Sequence, residues 1–500
     1  MNENVLTAYA SKLDGGDYEE KLKKYYGEML VFKSSANSKF FSALSLPSFM
    51  RDWLVMRFSN SEGVIDKQEV SNYVKRVIPK KEQWNEYLVD LLHNDQTARF
   101  LAKVKIDFDA KTKTALFSLP DFEVPKKKGE AIVDWDVIEA NRDYLLSPTE
   151  VWGIVEIDME EGDKGNVFKL IDFQPFCPYT IDLDYYIEAR QYFTIDEWIN
   201  VLLSAIDYNP KGYVSKTQKM AMLSRLLPFV EKRINLIELA PKETGKSYVF
   251  AQISKYGWLV SGGSISRAKM FYDISKRTQG LVSRYDYVAF DEIQSIKFTD
   301  AMEMQGALKG YLESGEYRVG DSRGVGDAGL ILLGNIDSEL MDVNQNMFKD
   351  LPDIFHESAL LDRFHGFIKG WNIPKMKESL KANGWALNTE YFGEIMHYLR
   401  DELSYRAVVD QLLQLPKNSA TRDTEAIKRI CTGYLKLLFP DATDVSKVNI
   451  SLFETYCLAP AMEMRRVIKT QLGIIDEGEF GGTTIPDITI KEQYRESQEV

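Results

Sequence analysis

The segment that most restricts the fold of this 500-residue chain is an apolar run, Leu236-Ile237-Glu238-Leu239, that leads into Ala240-Pro241-Lys242-Glu243-Thr244-Gly245-Lys246-Ser247 and then a helical stretch. A strand, a glycine-containing loop and a helix in that order are what a phosphate-binding P-loop requires. Backbone N–H groups of residues 241–247 and the start of the helix would wrap a β-phosphate, Lys246 would reach the β- and γ-phosphates, and the Ser247 hydroxyl would coordinate Mg²⁺. Pro241, Lys242, Glu243, Thr244, Gly245, Lys246 and Ser247 are therefore the candidate ATP-binding residues. Ala240 stands where the first glycine is usual, and Glu243 where a small residue is common. A bare Gly-Lys-Ser is most often an ordinary loop, so the flanking strand and helix carry the reading.

From Asn235 onward short β-rich runs alternate with helical ones: Leu236–Leu239, Trp258–Val260, Tyr287–Phe290 and Leu330–Leu333 read as strands. Such alternation predicts an α/β layer with a parallel sheet. The third run ends in Asp291-Glu292. A parallel strand would deliver Asp291 towards Mg²⁺ and Glu292 towards an attacking water at the edge where the P-loop opens. The fourth ends in Asn335, whose amide would orient that water or simply make a turn. Leu360-Leu361-Asp362-Arg363-Phe364-His365 then puts Arg363 after an apolar helix end, as an exposed salt bridge or an arginine finger.

Around this core, residues 1–97 read as an N-terminal helical region and 98–182 as a β-rich domain. Alternation over Phe100–Phe108 and Ala115–Leu119, about the polar turn 109–113, predicts one hairpin. Trp152–Ile157 and Val167–Phe173, joined by an acidic loop over 159–165, predict a second. Two hairpins suit a small oligonucleotide-binding-type barrel or a plain antiparallel sheet. Residues 183–230 read as a helical linker, 231–373 as the P-loop core, and 374–475 as an almost wholly helical lid. Residues 476–500, with seven acids and two bases, read as a loose tail.

Lys and Arg total 62 against 75 Asp and Glu, a formal charge of −13, so any nucleic-acid contact must come from local basic clusters. Cys177, Cys431 and Cys457 are far apart, and the four histidines form no ligand spacing with them, which excludes a disulfide framework and a Cys/His zinc site. No run approaches the roughly 18 apolar residues of a membrane span, and no cationic head precedes an apolar stretch at the N-terminus. The expected location is the cytoplasm, with no membrane partner.

The order of Asp291-Glu292, Asn335, Leu360–Phe364 and Ala420-Thr421-Arg422-Asp423-Thr424-Glu425-Ala426-Ile427 resembles AAA+ ATPases, nearest their MCM-like branch. More narrowly, Ala189–Trp198, Asn235–Phe250, Ser261–Gly263, Val288–Ile293 and Pro460–Arg466 resemble the BrxL family, Lon-protease-related proteins of BREX phage-defence systems. The resemblance implies an AAA+ P-loop ATPase core with an all-α lid, preceded by an α+β N-terminal region containing an oligonucleotide-binding-like β-barrel. It assigns Lys246 and Ser247 to Walker A, Asp291 and Glu292 to Walker B, Asn335 to the first sensor, Arg363 to the finger and Arg422 to the second sensor. Arg465 and Arg466 compete for that last role or pack the lid. A finger serves a neighbouring subunit's nucleotide, which implies a homo-oligomer, a hexamer or double hexamer. The family commonly carries a Lon-like domain after the lid; only 25 residues follow here, so protease activity is not expected.

Two segments are candidates for contact with DNA. Leu308–Gly324 resembles the hairpin that MCM-like ATPases point into a central channel, and offers Lys309, Arg318 and Arg323; a surface hairpin without a ligand is the alternative. From Lys103 to Lys128 seven lysines, Lys111 and Lys113 among them, face four acids. Repetition around a ring would concentrate that charge and give sequence-independent, salt-sensitive binding, whereas in one copy it reads as a solvated turn. The expected function is an ATP-hydrolysing ring of an antiphage system that encircles DNA and moves along or remodels it, with other defence proteins as further partners. Alternatives are a nucleotide-switched DNA-bound scaffold and a protein unfoldase, for which Tyr311 and Tyr317 would be pore aromatics.

Overall fold

The computed structural model describes residues 18–496, apart from 35–36, 38, 42–45, 61–63, 80, 95, 126, 128, 147–149, 163–164, 177 and 276. Cys177, Lys126 and Lys128 lie outside the described residues. The chain forms two compact units, one from residues up to 56 together with 181–500 and the other from 57–180. The region read as one helical segment, 1–97, is thus divided between them.

In the smaller unit the strands Ala98–Asp109, Thr114–Ser118, Ala131–Val133, Val151–Gly162 and Gly165–Pro175 close into a five-stranded barrel. The alternation seen in the first hairpin places Phe100, Ala102, Val104, Ile106, Ala115 and Phe117 inside, where they pack with Val155, Ile157, Leu170 and Phe173. Both expected hairpins form, with Lys105 opposite Ser118 and Gly153 opposite Pro175. Closure comes from the short strand Ala131–Val133, which runs antiparallel to the first hairpin and parallel to the second. The acidic stretch expected as a loop is mostly strand, because the two strands run to Gly162 and from Gly165.

The larger unit is built on a five-stranded parallel sheet, ordered Gly366–Lys369, Leu236–Ala240, Gly329–Asn335, Tyr287–Asp291 and Gly257–Ser261. Every residue of Leu236–Ala240 is buried, as expected of a strand covered on both faces. The strand ending in Asn335 lies between the P-loop strand and the Asp291 strand. Asn335 falls opposite Ala240, and Asp291 opposite Ser261, so the three C-terminal strand ends form one edge. The fifth strand, Gly366–Lys369, is an element the sequence pattern does not announce; it immediately follows the Arg363 segment and is only four residues long.

Four further expectations are corrected. The region read as an almost wholly helical lid also contains a short strand, Gly384–Leu387, which forms an antiparallel pair with Leu30–Lys33 near the N-terminus. Residues 476–495 are packed down: Phe480, Ile488 and Ile490 are buried, and Thr489–Ile490 pairs with Leu413–Gln414. The first half of 308–324 belongs to the helix Ala301–Ser314, and the hairpin proper is Glu316–Val319 with Ser322–Val325. Tyr311 and Tyr317 are buried, Tyr311 donating to the Ala328 carbonyl, so neither is available as a pore aromatic. Among the described residues no helix is long and apolar enough to cross a membrane.

Candidate active site

The loop after Leu236–Ala240 turns on two residues of positive φ, Glu243 at 70° and Gly245 at 73°. Gly245 is needed twice over: its conformation disfavours side chains, and a Cβ there would lie 2.7 Å from the Tyr208 hydroxyl. The helix Lys246–Gln252 follows directly. Lys246 Nζ donates to Asn335 Oδ1 over 2.8 Å, which brings together the two residues expected at the phosphate end. Burial lowers the affinity of this amine for its proton, against the pull of Glu238, Asp291 and Glu292. Its direct side-chain partner, the Asn335 amide, is neutral, so the ammonium is placed to pair with a phosphate.

Asp291 closes its strand and lines a surface depression with Ser247, Tyr248, Ser261 and Arg51. Hydroxyl and carboxylate oxygens are the donor set that Mg²⁺ prefers. Glu292 adopts a left-handed conformation with φ 49°, and its exposed side chain follows a backbone N–H that donates to Asp291 Oδ1. Gln294 grips Asn335 from the next turn, donating to its carbonyl over 2.8 Å and accepting from its N–H over 3.4 Å.

Beside the loop lies a cavity of about 310 Å³ lined by Tyr208, Tyr248, Met376, Lys33, Arg51 and Asp207 among others. A cavity of this size is within the range of small-ligand sites. The Tyr208 hydroxyl donates to the Gly245 carbonyl over 3.3 Å, and the Met376 N–H donates to the Glu243 carbonyl over 2.7 Å, so its walls also hold the loop. Asp207 is the hub: it accepts from Lys33 over 2.8 Å, Arg51 over 2.5 Å and Tyr248 over 2.6 Å. Burial raises its pKa, but Lys33 and Arg51 outweigh that and hold the carboxyl well below the usual range.

Arg363 and Arg422 meet on one carboxylate. Arg363 Nε lies 2.8 Å from Glu313 Oε2, and its guanidinium also bonds the Ala359 carbonyl. Arg422 reaches Glu313 and Asp362 over 3.2 and 3.1 Å. Arg465, fully buried, donates to the carbonyls of Asp362 and Phe364 over 2.9 and 2.7 Å and to the carboxylates of Asp362 and Asp423 over 2.6 and 2.7 Å. It therefore clamps the backbone on both sides of Arg363, and its lid-packing alternative is the one the geometry supports. Arg466 is exposed and paired with Glu463. Arg318, Arg323, Lys111 and Lys113 are exposed, whereas Lys309 is engaged by Glu357.

Sequence reasoning missed Gln294, which grips Asn335, Tyr208, which holds the loop at Gly245, and the N-terminal residues Lys33 and Arg51, which line the cavity on Asp207, because each comes to the site only through tertiary folding. Arg225 reads in the sequence merely as one of the bases of the linker; it is completely buried against Glu238 of the P-loop strand.

These features define an α/β protein with a five-stranded parallel sheet in one unit and a closed β-barrel in the other. The family model described as "Lon-like protease BrxL-like, ATPase domain" matches residues 168–485, and that described as "BREX system Lon protease-like protein BrxL N-terminal" matches residues 24–159. The chain belongs to the BrxL family of BREX defence systems. It is 30% identical over 475 residues to "Lon-like protease BrxL" of Escherichia coli O9:H4 (strain HS), covering 93% of this chain and 66% of that protein. It is 33% identical over 337 residues to "Lon-like protease BrxL" of Bacillus cereus (strain H3081.97), covering 66% and 48%. The chain therefore spans about two thirds and about half of the lengths of these relatives.

Proposed function

We propose that the chain is an AAA+ motor subunit that hydrolyses ATP at the Ala240–Ser247 loop, in a ring that encloses DNA during antiphage defence. The observation that carries this reading is the convergence of Lys246 on Asn335 at the sheet edge that also bears Asp291. Lys246 and the loop amides would hold the phosphates, and the cavity beside Tyr208 and Tyr248 has room for base and ribose. Ser247 and Asp291 would hold Mg²⁺, which when bound neutralises phosphate charge. Glu292 would accept the proton of the attacking water and Asn335 would orient that water.

Arg363 and Arg422 share Glu313, and we assign both to the nucleotide of a neighbouring copy, so that the catalytic unit is a homo-oligomer, hexameric or double-hexameric. Arg422, expected as a second sensor, acts here as a partner of the finger. The hairpin 316–325 and the barrel turn 109–113 present Arg318, Arg323, Lys111 and Lys113 to DNA phosphates. With Tyr311 and Tyr317 buried, the unfoldase alternative loses its pore aromatics, while a DNA-bound scaffold remains the second reading. Phosphate release from ATP in the presence of Mg²⁺ and DNA separates the two. The motor reading expects steady turnover that falls roughly 10²–10⁴-fold in Glu292→Gln with ATP binding kept; a wild-type chain that binds ATP and DNA without turnover supports the scaffold.

A further inference from the structure

Arg225 ends the helix Lys216–Ser224 and lies beneath the phosphate loop, where neither it nor Glu238 reaches solvent. Its Nε donates to Glu238 over 3.0 Å and one terminal nitrogen does so over 2.6 Å, a two-pronged grip that fixes the guanidinium plane. The other terminal nitrogen donates to the Thr244 carbonyl over 3.0 Å. Thr244 is itself buried, and its hydroxyl donates to the Pro241 carbonyl over 3.3 Å. Beyond Glu238 the guanidinium reaches the loop twice, at the Thr244 carbonyl and over 3.4 Å at the Thr244 hydroxyl, and touches the linker only through Met222 Sδ at 3.4 Å.

That contact has a directional consequence. A trans peptide is planar, with the carbonyl and the following N–H on opposite sides. Turning the Thr244 carbonyl down onto Arg225 therefore turns the Gly245 N–H up and out of the loop, on the side away from the protein interior. We infer that Arg225 is a positioning residue for nucleotide: held by Glu238, it draws in the Thr244 carbonyl and so aims the Gly245 amide at a bound phosphate. The inference rests on the reading of residues 240–247 as a nucleotide site and names what preshapes it. Lysine cannot substitute, because a single ammonium lacks the planar fork that serves a carboxylate and a carbonyl at once.

A buried ion pair can also be purely structural, and replacement of both partners by apolar residues of similar volume is commonly tolerated. Two variants of the full chain separate the roles: Arg225→Met combined with Glu238→Met, and Arg225→Lys alone. The measurements are the melting temperature and the Kd for Mg·ADP by calorimetry, beside the wild type. Positioning predicts that the double variant melts within a few degrees of the wild type yet binds ADP at least tenfold more weakly, and that Arg225→Lys, which keeps a positive charge beside Glu238, is weakened likewise. Wild-type ADP affinity in either folded variant overturns the inference. A wild-type chain that binds no ADP overturns the nucleotide-site reading itself, which is a distinguishable result because the variants then have nothing to lose.

Discussion

The Lys246 ammonium stands 2.8 Å from the Asn335 amide oxygen, although the two residues are 89 positions apart. The contact depends on register: the strand of Asn335 lies directly beside that of Ala240, and the two end together. Removing either side chain should nevertheless have a different effect. Lys246→Ala would take away the charged donor proposed for phosphate and should weaken ATP binding roughly 10–100-fold, the equivalent of one charge-assisted hydrogen bond. Asn335→Ala should leave ATP affinity within about threefold while lowering kcat, because the role proposed for it, orienting the attacking water, would be met only in the transition state. Equilibrium binding and steady-state kinetics on both variants check this.

The stability of the larger unit should depend on pH through a buried pair of carboxylates. Glu390 is raised from its usual value to about 7: burial lifts it, Lys255 opposes this at 2.6 Å, and neighbouring Glu394 adds to the rise. Between the ordinary carboxylate value and about 7 the folded chain keeps a proton that the unfolded chain has lost. Unfolding then releases a proton, so stability falls as pH rises through that window and is level above it. Urea unfolding at pH 5, 6, 7 and 8 should show the decline, and Glu390→Gln should flatten it.

The proposed DNA binding through exposed Arg and Lys side chains of the hairpin and the barrel turn would be electrostatic and independent of sequence. Combining Arg318→Ala, Arg323→Ala, Lys111→Ala and Lys113→Ala should reduce the slope of log K against log salt by roughly one for each phosphate that a subunit no longer neutralises. Lys309→Ala should change the slope little, since Glu357 already holds that ammonium. Fluorescence anisotropy across a salt series provides the measurement.

The strand-end placement of the loop 240–247, of Asp291 and of Asn335 was legible in the sequence because these residues follow short apolar runs, the mark of strands buried in a parallel sheet. Both hairpins of the barrel were legible because one face is buried, which imposes a period of two. What escaped was set by partners distant in sequence. Leu30–Lys33 becomes a strand through Gly384–Leu387, more than 350 residues away, and neither run is long enough to declare itself. The helix Ala301–Ser314 contains Gly306 and Gly310, which lower helical propensity and made its second half look like a hairpin arm. Glu238 sits at an interior strand position that normally favours an apolar residue, and only Arg225, reaching it from the linker, explains it. The acidic C-terminal stretch has the composition of a disordered tail, yet Phe480, Ile488 and Ile490 anchor it.

The central claim is that the site of one copy is completed by Arg363 of the next, and mixed assemblies test it most directly. Lys246→Ala and Arg363→Ala chains should each be inactive alone, the latter by roughly 10³–10⁵ in turnover. Co-assembled, they should recover a substantial fraction of wild-type ATP hydrolysis, because some interfaces then join an intact loop to an intact arginine. Mixed assemblies that form but remain as inactive as either parent would contradict the account.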